Sequence, residues 1–276
     1  MYQPTPGCRS ERPARGPARD GGPGSAGAFA CELGYIGGGG CRIANMRDWL
    51  LIDADDTLWE NNIYFEQAFE QFVAFLDHSR LSAAEIREVL DEIEAANIKL
   101  HGYGSANFGR NLQECFRRLA ERPYGDGDLA MVLGFAGAIL ERPMEVIEGV
   151  EDTLRYLAGR KRLLLFTKGH PEEQKLKLGR SGLGRYFEDC EVVKEKDAHN
   201  YRRVVETKNL DPGATWMVGN SPKSDINPAL EAGLNAVLVP HPHTWSLEKQ
   251  EIVSPGERRA GRLLIVERFA DLQRYF

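Results

Sequence analysis

The chain of 276 residues carries 35 basic against 41 acidic side chains, a net charge of −6, and 42% of it is hydrophobic. That is enough for one substantial globular core, or a core with an insertion, and the acidic balance gives no electrostatic reason to expect nucleic acid or an anionic membrane as a partner. There is no apolar run near the roughly 18 residues of a membrane span, no secretory signal core, and five cysteines without a CxxC pair indicate neither a disulfide framework nor a zinc site; a soluble cytoplasmic protein with a small partner is expected.

Residues 1–45 hold 11 Gly, 5 Pro and five Arg against three acids, with no periodic apolar face. Such a segment has nothing with which to recover the entropy of ordering, so it is expected to be a disordered extension without function. Met46, just ahead of the first strand, is the expected natural start. The apolar run Leu50-Leu51-Ile52 then reads as a buried strand, and Asp53-Ala54-Asp55-Asp56-Thr57-Leu58 follows it directly. If the extended conformation persisted, Asp53, Asp55 and Thr57 would share one direction. The same hexapeptide can also serve as a polar turn whose aspartates cap the next helix.

From residue 63 to about 140 the periodicity is helical. Phe65, Phe69, Phe72, Val73 and Leu76 form the first stripe; Ser82 with Glu85 is a capping box ahead of Ile86, Val89, Leu90 and Ile93. Phe108, Leu112, Cys115, Phe116 and Leu119 mark a third helix, with Cys115 as a small core residue, and residues 129–140 a fourth, closed by Pro143. Beyond residue 146 helices alternate with short apolar strands at 163–166, 191–193, 216–218, 236–239 and 263–266, with helices at 150–157, 198–207 and 225–232 and one after the last strand. This is the rhythm of a parallel sheet covered on both faces. The expected fold is α/β, a Rossmann-like three-layer parallel-sheet core (46–60 and 146–276) with an inserted α-helical bundle (61–145) over the carboxyl ends of the strands, where open α/β sheets bind ligands.

Four polar sites fall at strand ends: the Asp53 hexapeptide, Thr167-Lys168-Gly169, Lys194 and Lys196, and Gly219-Asn220 through Asp225. Each alone suits an ordinary loop, but in a parallel sheet all four converge on one crevice. In this order, Asp53-x-Asp55-x-Thr57, Thr167, the lysine and Gly219-Asn220…Asp225 resemble the four motifs of the haloacid dehalogenase superfamily of phosphohydrolases, and the helical block resembles the cap that some branches insert after the first motif. The likeness spans residues 47–276.

The resemblance implies Asp53 as the nucleophile that becomes an aspartyl phosphate and Asp55 as the acid that protonates the leaving alcohol and then activates water. It implies Mg²⁺ held by Asp53, Asp225 and the main-chain carbonyl of Asp55, with Asn220 beside it. A motif lysine would orient Asp53; Lys196 is favoured over Lys194 because it precedes Asp197 and a helix. Thr57, Thr167, Lys168 and Gly169 would bind the phosphoryl group of a small phosphorylated metabolite. Two departures stand out. Asn220 replaces an acid common in relatives, which predicts a weaker but intact Mg²⁺ site, and Asp56 replaces a glycine, consistent with a turn. Gly102-Tyr103-Gly104-Ser105, Asn107, Arg110 and Asn111, expected between helices of the block, could grip substrate from above; Arg110 would select an anionic or polar group or lie solvated at the surface. His241-Pro242-His243 lacks the partners of a metal motif and reads as a loop near the crevice rim. The expected activity is a Mg²⁺-dependent phosphatase. A phosphomutase, a 2-haloacid dehalogenase, which has no need of Asp55, and a binding protein with a relic site are the alternatives.

Overall fold

The computed structural model describes residues 48–253 and 261–276. The expectations about residues 1–45 and Met46 lie outside them. Six parallel strands form one sheet in the order β3-β2-β1-β4-β5-β6: β1 Trp49–Ile52, β2 Arg162–Lys168, β3 Asp189–Val193, β4 Trp216–Gly219, β5 Asn235–Leu238 and β6 Leu263–Ile265. The interior strands β1, β2 and β4 carry apolar runs because both faces are covered, whereas the edge strands β3 and β6 are only partly buried. Leu50, Ile52, Leu163, Leu165 and Val218 pack against Val150, Leu154 and Leu157 of α5 (Val150–Ala158) and against Phe269 and Leu272. On the opposite face Leu51, Leu164, Phe166 and Met217 pack against Tyr201 and Val204 of α7 (Ala198–Thr207) and Ala229 of α8 (Asn227–Glu231). The core is thus a three-layer α/β sandwich of Rossmann-like order.

Four helices intervene between β1 and β2: α1 Asn62–Leu76, α2 Ala83–His101, α3 Ser105–Leu119 and α4 Asp126–Gly137. They share a separate apolar cluster that includes Phe69, Phe72, Leu90, Leu112, Cys115, Phe116 and Val132. The capping box forms as the spacing required: Ser82 Oγ accepts from the Glu85 amide at 3.3 Å, and the Ser82 amide donates to Glu85 Oε2 at 2.8 Å. α3 and α4 approach closely at Gly109, where a Cβ would stand 2.7 Å from a Leu133 methyl. The chain enters and leaves this block through a paired neck, with the Glu60 amide donating to the Glu145 carbonyl and the Ile147 amide to that of Leu58.

Differences from the sequence expectation are local, apart from one missed helix. α6 (Pro171–Ser181) follows β2 and carries residues that reach the cavity. The expected helix at 225–232 opens as a wide π-type turn over Pro222–Ile226 before α8, and the expected final helix is a 3₁₀ segment, Phe269–Arg274. Among the described residues no helix is long and apolar enough to cross a membrane.

Candidate active site

The strand order fixes where the polar loops meet. The chain runs outward from β1 to β2 and β3, then crosses back to β4 on the other side of β1, so the crevice lies outside the carboxyl ends of β1 and β4. Asp53 follows β1 and Asn220 follows β4, and the Asp53 amide extends the pairing by donating to the Val218 carbonyl at 2.9 Å. The resulting cavity holds about 1040 Å³ of space, part of it open solvent, with Asp53, Asp55, Thr167 and Asp225 on the sheet side and Phe65, Glu94 and Asn107 on the helical side.

The extended conformation does not persist past Ile52. The amides of Thr57 and Leu58 both donate to the Ala54 carbonyl, and Asp56 adopts φ 58, a left-handed conformation that aspartate tolerates better than most side chains. This turn folds Thr57 back so that its hydroxyl donates to Asp53 Oδ2 at 3.0 Å, while Asp55 takes another direction into the same cavity. The expectation of three side chains aligned by strand alternation is corrected accordingly. Asp56 does both things a turn aspartate can do, since its Oδ1 also accepts from the amides of Asn61 and Asn62 at the start of α1. Burial pushes its carboxyl up to about 7 against those amide bonds.

Lys196 is the lysine that reaches the aspartates. Its ammonium contacts Asp53 Oδ1 and lies 2.7 Å from Asp225 Oδ1, whereas Lys194 is exposed. Burial opposes the Lys196 charge, yet Asp225 and Asp53 outweigh it and hold its pKa above the ordinary lysine value. Burial also pushes Asp53 up to about 7, with Lys196 pulling down and Asp225 pushing further up. Asp225 is fixed from its other side by the Ser221 amide at 2.9 Å. Gly219 leaves room for it: a Cβ there would lie 2.2 Å from Asp225 Oδ2. Gly219→Ala must therefore displace that carboxylate. The expected result is a loss of about 1–3 kcal/mol in stability, typical of overpacking, together with loss of turnover; denaturant midpoints and a turnover assay check both.

Thr167 is buried at the end of β2 and lines the cavity. Lys168 also lines it, but its ammonium is held by Glu248 and by Ser224 Oγ at 2.9 Å, and the Gly169 amide donates to the Val193 carbonyl. Asn107 and Asn111 are buried on α3 and line the cavity rather than lying between helices. Arg110 is a correction. It occupies the exposed face of α3, opposite Phe108, Asn111, Leu112 and Cys115, and does not line the cavity.

Sequence reading missed several residues that position the site. Asp55 is gripped by Trp59 Nε1 at 2.8 Å, by Gln174 Nε2 at 2.8 Å and by Lys177 Nζ at 3.1 Å to both carboxylate oxygens. Gln174 and Lys177 belong to α6, whose start was signalled by Pro171 followed by Glu172 and Glu173. Glu248, from the loop after β5, accepts from Lys168, Ser221 and Ser224; burial alone would raise its carboxyl, but Lys168 and the two hydroxyls hold it below its ordinary value. No local motif announces Glu248.

The oxygen set fits a hard divalent cation. Asp53 Oδ2 and Asn220 Oδ1 flank the Thr57 hydroxyl at 3.0 and 3.5 Å, with the buried Asp225 carboxylate on the same lysine as Asp53. A second group, Asp56, Glu60 and His241, brings ligand atoms within 4.8 Å of one another, and of the three only Asp56 lines the cavity. There His241 Nε2 lies 3.2 Å from Glu60 Oε2, while Asp56 is engaged in capping α1.

The family model of haloacid dehalogenase-like hydrolases matches residues 48–233. A haloacid dehalogenase-like family hydrolase from Xanthomonas campestris superposes with a TM-score of 0.72 at 28% identity, over 85% of this chain and 92% of its own. The HAD-hydrolase YfnB of Bacillus subtilis, in a magnesium-bound crystal, gives 0.59 at 17% over 83% and 98%. A 2-haloacid dehalogenase of Pseudomonas syringae gives 0.53 at 18% over 83% and 97%. A comparison with curated protein sequences found no match. With two thirds of its length matched by that family and the motif residues gathered at the switch point of the sheet, the chain belongs to the haloacid dehalogenase-like hydrolases.

Proposed function

We propose that this hydrolase is a Mg²⁺-dependent phosphatase acting on a small phosphorylated metabolite through an aspartyl phosphate on Asp53. The observation that carries this reading is Asp55, a second carboxylate in the cavity, braced by Trp59, Gln174 and Lys177. Halide leaves carbon without a proton, whereas an alkoxide leaving phosphorus needs one, and Asp55 stands in the cavity to give it; hydrolysis of the covalent intermediate needs an activated water in either case.

In the proposed sequence Asp53 attacks phosphorus in line with the ester oxygen while Lys196 keeps its carboxylate oriented. The Thr167 hydroxyl donates to a phosphoryl oxygen, while that of Thr57 stays on Asp53 Oδ2 and helps to aim the carboxylate. Asp55 gives its proton to the departing alcohol, then takes one from the water that hydrolyses the acyl phosphate. Mg²⁺, held by Asp53, Asp225, Asn220 and the Asp55 carbonyl, would supply the positive charge that a phosphate dianion requires among these carboxylates.

The helical block, residues 61–145, acts as a cap in this reading. It meets the core around the cavity through Tyr103 with Glu195 at 2.6 Å and Ser105 with Glu173 at 3.1 Å, and its paired neck is a natural hinge for opening to substrate and excluding water.

The decisive assay measures phosphate release from an aryl phosphate with Mg²⁺ and with chelator, beside halide release from 2-chloropropionate. Mg²⁺-dependent phosphate release is expected, and halide release without it would establish the dehalogenase reading instead. A sugar phosphate converted to its isomer with no free phosphate would indicate a mutase. Asn220→Asp adds a negative ligand at the cation, so the Mg²⁺ concentration for half-maximal turnover should fall severalfold; an unchanged Mg²⁺ dependence would remove Asn220 from the cation site.

A further inference from the structure

Helix α3 of the inserted block starts without a cap of its own, because Gly104 precedes it and its first turn holds no acid. The acceptor comes from the core. Glu173 of α6 takes both the Ser105 amide and the Ser105 hydroxyl on Oε2, each at 3.1 Å, and so satisfies the helix terminus in trans. Gly104 leaves room for this approach: a Cβ there would lie 2.9 Å from that oxygen. The other oxygen, Oε1, lies 3.6 Å from Lys177 Nζ, and both side chains are only 8% exposed. Lys177 in turn holds both oxygens of Asp55 at 3.1 Å and Asn61 Oδ1 at 2.7 Å. One buried ammonium thus stands between two carboxylates, close to Asp55 and farther from Glu173.

We infer that Glu173 is a positioning residue for Asp55 and acts through Lys177. While Glu173 is docked on α3, two donors take up its charge and Lys177 stays on Asp55. Without those donors a buried carboxylate needs another partner, and the ammonium beside it is the one within reach. Undocking of α3 therefore draws Lys177 toward Glu173 and away from Asp55. The proton donor is held in place only when the helical block is seated over the cavity, which ties the seating of the block to the aim of Asp55 through three named side chains, Ser105, Glu173 and Lys177.

The inference rests on the phosphatase reading for what Asp55 does, but not for where Lys177 sits. The first readout is kcat/KM for two esters: a nitrophenyl phosphate, whose phenolate leaves unaided, and propyl phosphate, whose alkoxide needs the Asp55 proton. This parameter covers the steps up to departure of the leaving group and excludes the later hydrolysis of the acyl phosphate. Ser105→Ala removes the hydroxyl donor from Glu173. It should lower kcat/KM for propyl phosphate by about tenfold or more, the order of a hydrogen bond to a charged acceptor, and change the nitrophenyl ester by less than about twofold. Adding Glu173→Gln should restore propyl phosphate to within about twofold of wild type, because the neutral amide does not compete for Lys177. A purely structural cap would be weakened further by that second change, and both esters would lose together. No loss in Ser105→Ala, a loss shared equally by the two esters, or no recovery in the double variant would overturn the inference. Crystal structures of the three proteins give the second readout. Lys177 should lie on Asp55 in the wild type, move toward Glu173 in Ser105→Ala and return in the double variant; an unmoved Lys177 would also overturn the inference. If the wild type releases phosphate from neither ester, the phosphatase reading falls and the position of Lys177 in the three structures decides the coupling.

Discussion

Asp53→Asn should lower phosphate release by about 10⁴-fold or more, the order seen when a covalent nucleophile is removed, and at the same time make the metal-free protein more stable at alkaline pH. The first effect follows from position: Asp53 stands at the switch point with its oxygens on Lys196 and Thr57, and the amide cannot replace it as the attacking group. The second follows from burial. In the folded protein the Asp53 proton is held up to about pH 7, against 3.8 for an ordinary aspartate. The stability contributed by this group is therefore complete below about 3.8 and is lost as pH rises through 7. Asparagine does not titrate, so the variant should gain on the wild type by up to about 3 kcal/mol between pH 5 and 8. Denaturant titrations in chelator at the two pH values measure this. A variant that is inactive yet gains on the wild type as pH rises separates chemistry from folding. A variant that turns over aryl phosphate at the wild-type rate would remove Asp53 as nucleophile.

How far the site could be read from sequence depended on whether a residue's position follows from local rules. Asp53, Thr167 and Asp225 sit where short apolar runs end, and a parallel sheet leaves such positions only one crevice to share. The α/β core, the helical insertion and the Ser82 capping box were legible for the same reason. Lys196 against Lys194 was decided in three dimensions, since both follow β3 and only the former turns inward to Asp53 and Asp225. For Arg110 the sequence left open a selector of an anionic group and a solvated side chain, and the structure shows the latter: on α3 it is exposed while Asn107 is buried and lines the cavity. Lys177 and Glu248 reach the site across 122 and 80 residues to Asp55 and Lys168, and nothing local marks them. The Pro171 helix start would have shown that α6 existed, though not which of its faces met Asp55.

Lys196→Met should destabilise the protein by about 3–5 kcal/mol at neutral pH, the penalty for leaving a buried charge without its partner. The lysine side chain is 1% exposed and bridges Asp53 and Asp225, which are themselves buried. Methionine fills a similar volume, so little of the loss can be assigned to a cavity. What remains is two carboxylates facing one another without the ammonium. Without the ammonium that pulls it down, the Asp53 carboxyl is held still higher than about 7, so the deficit should grow as pH rises above neutral, where both carboxylates are forced to ionise. Adding Asp225→Asn to Lys196→Met should recover much of the stability at pH 7, because it removes one of the opposed charges, while turnover stays depressed by at least about 10²–10³-fold in both variants for want of the orienting cation. Denaturant midpoints of the wild type, both single variants and the double variant close the cycle. If Lys196→Met unfolds at the wild-type midpoint at pH 7, the buried ion triad is not what holds this end of the sheet together. If the double variant is no more stable than the single, the loss arises from packing around the lysine stem. The recovery without activity is the outcome that ties one lysine both to keeping the carboxylates in the fold and to aiming Asp53.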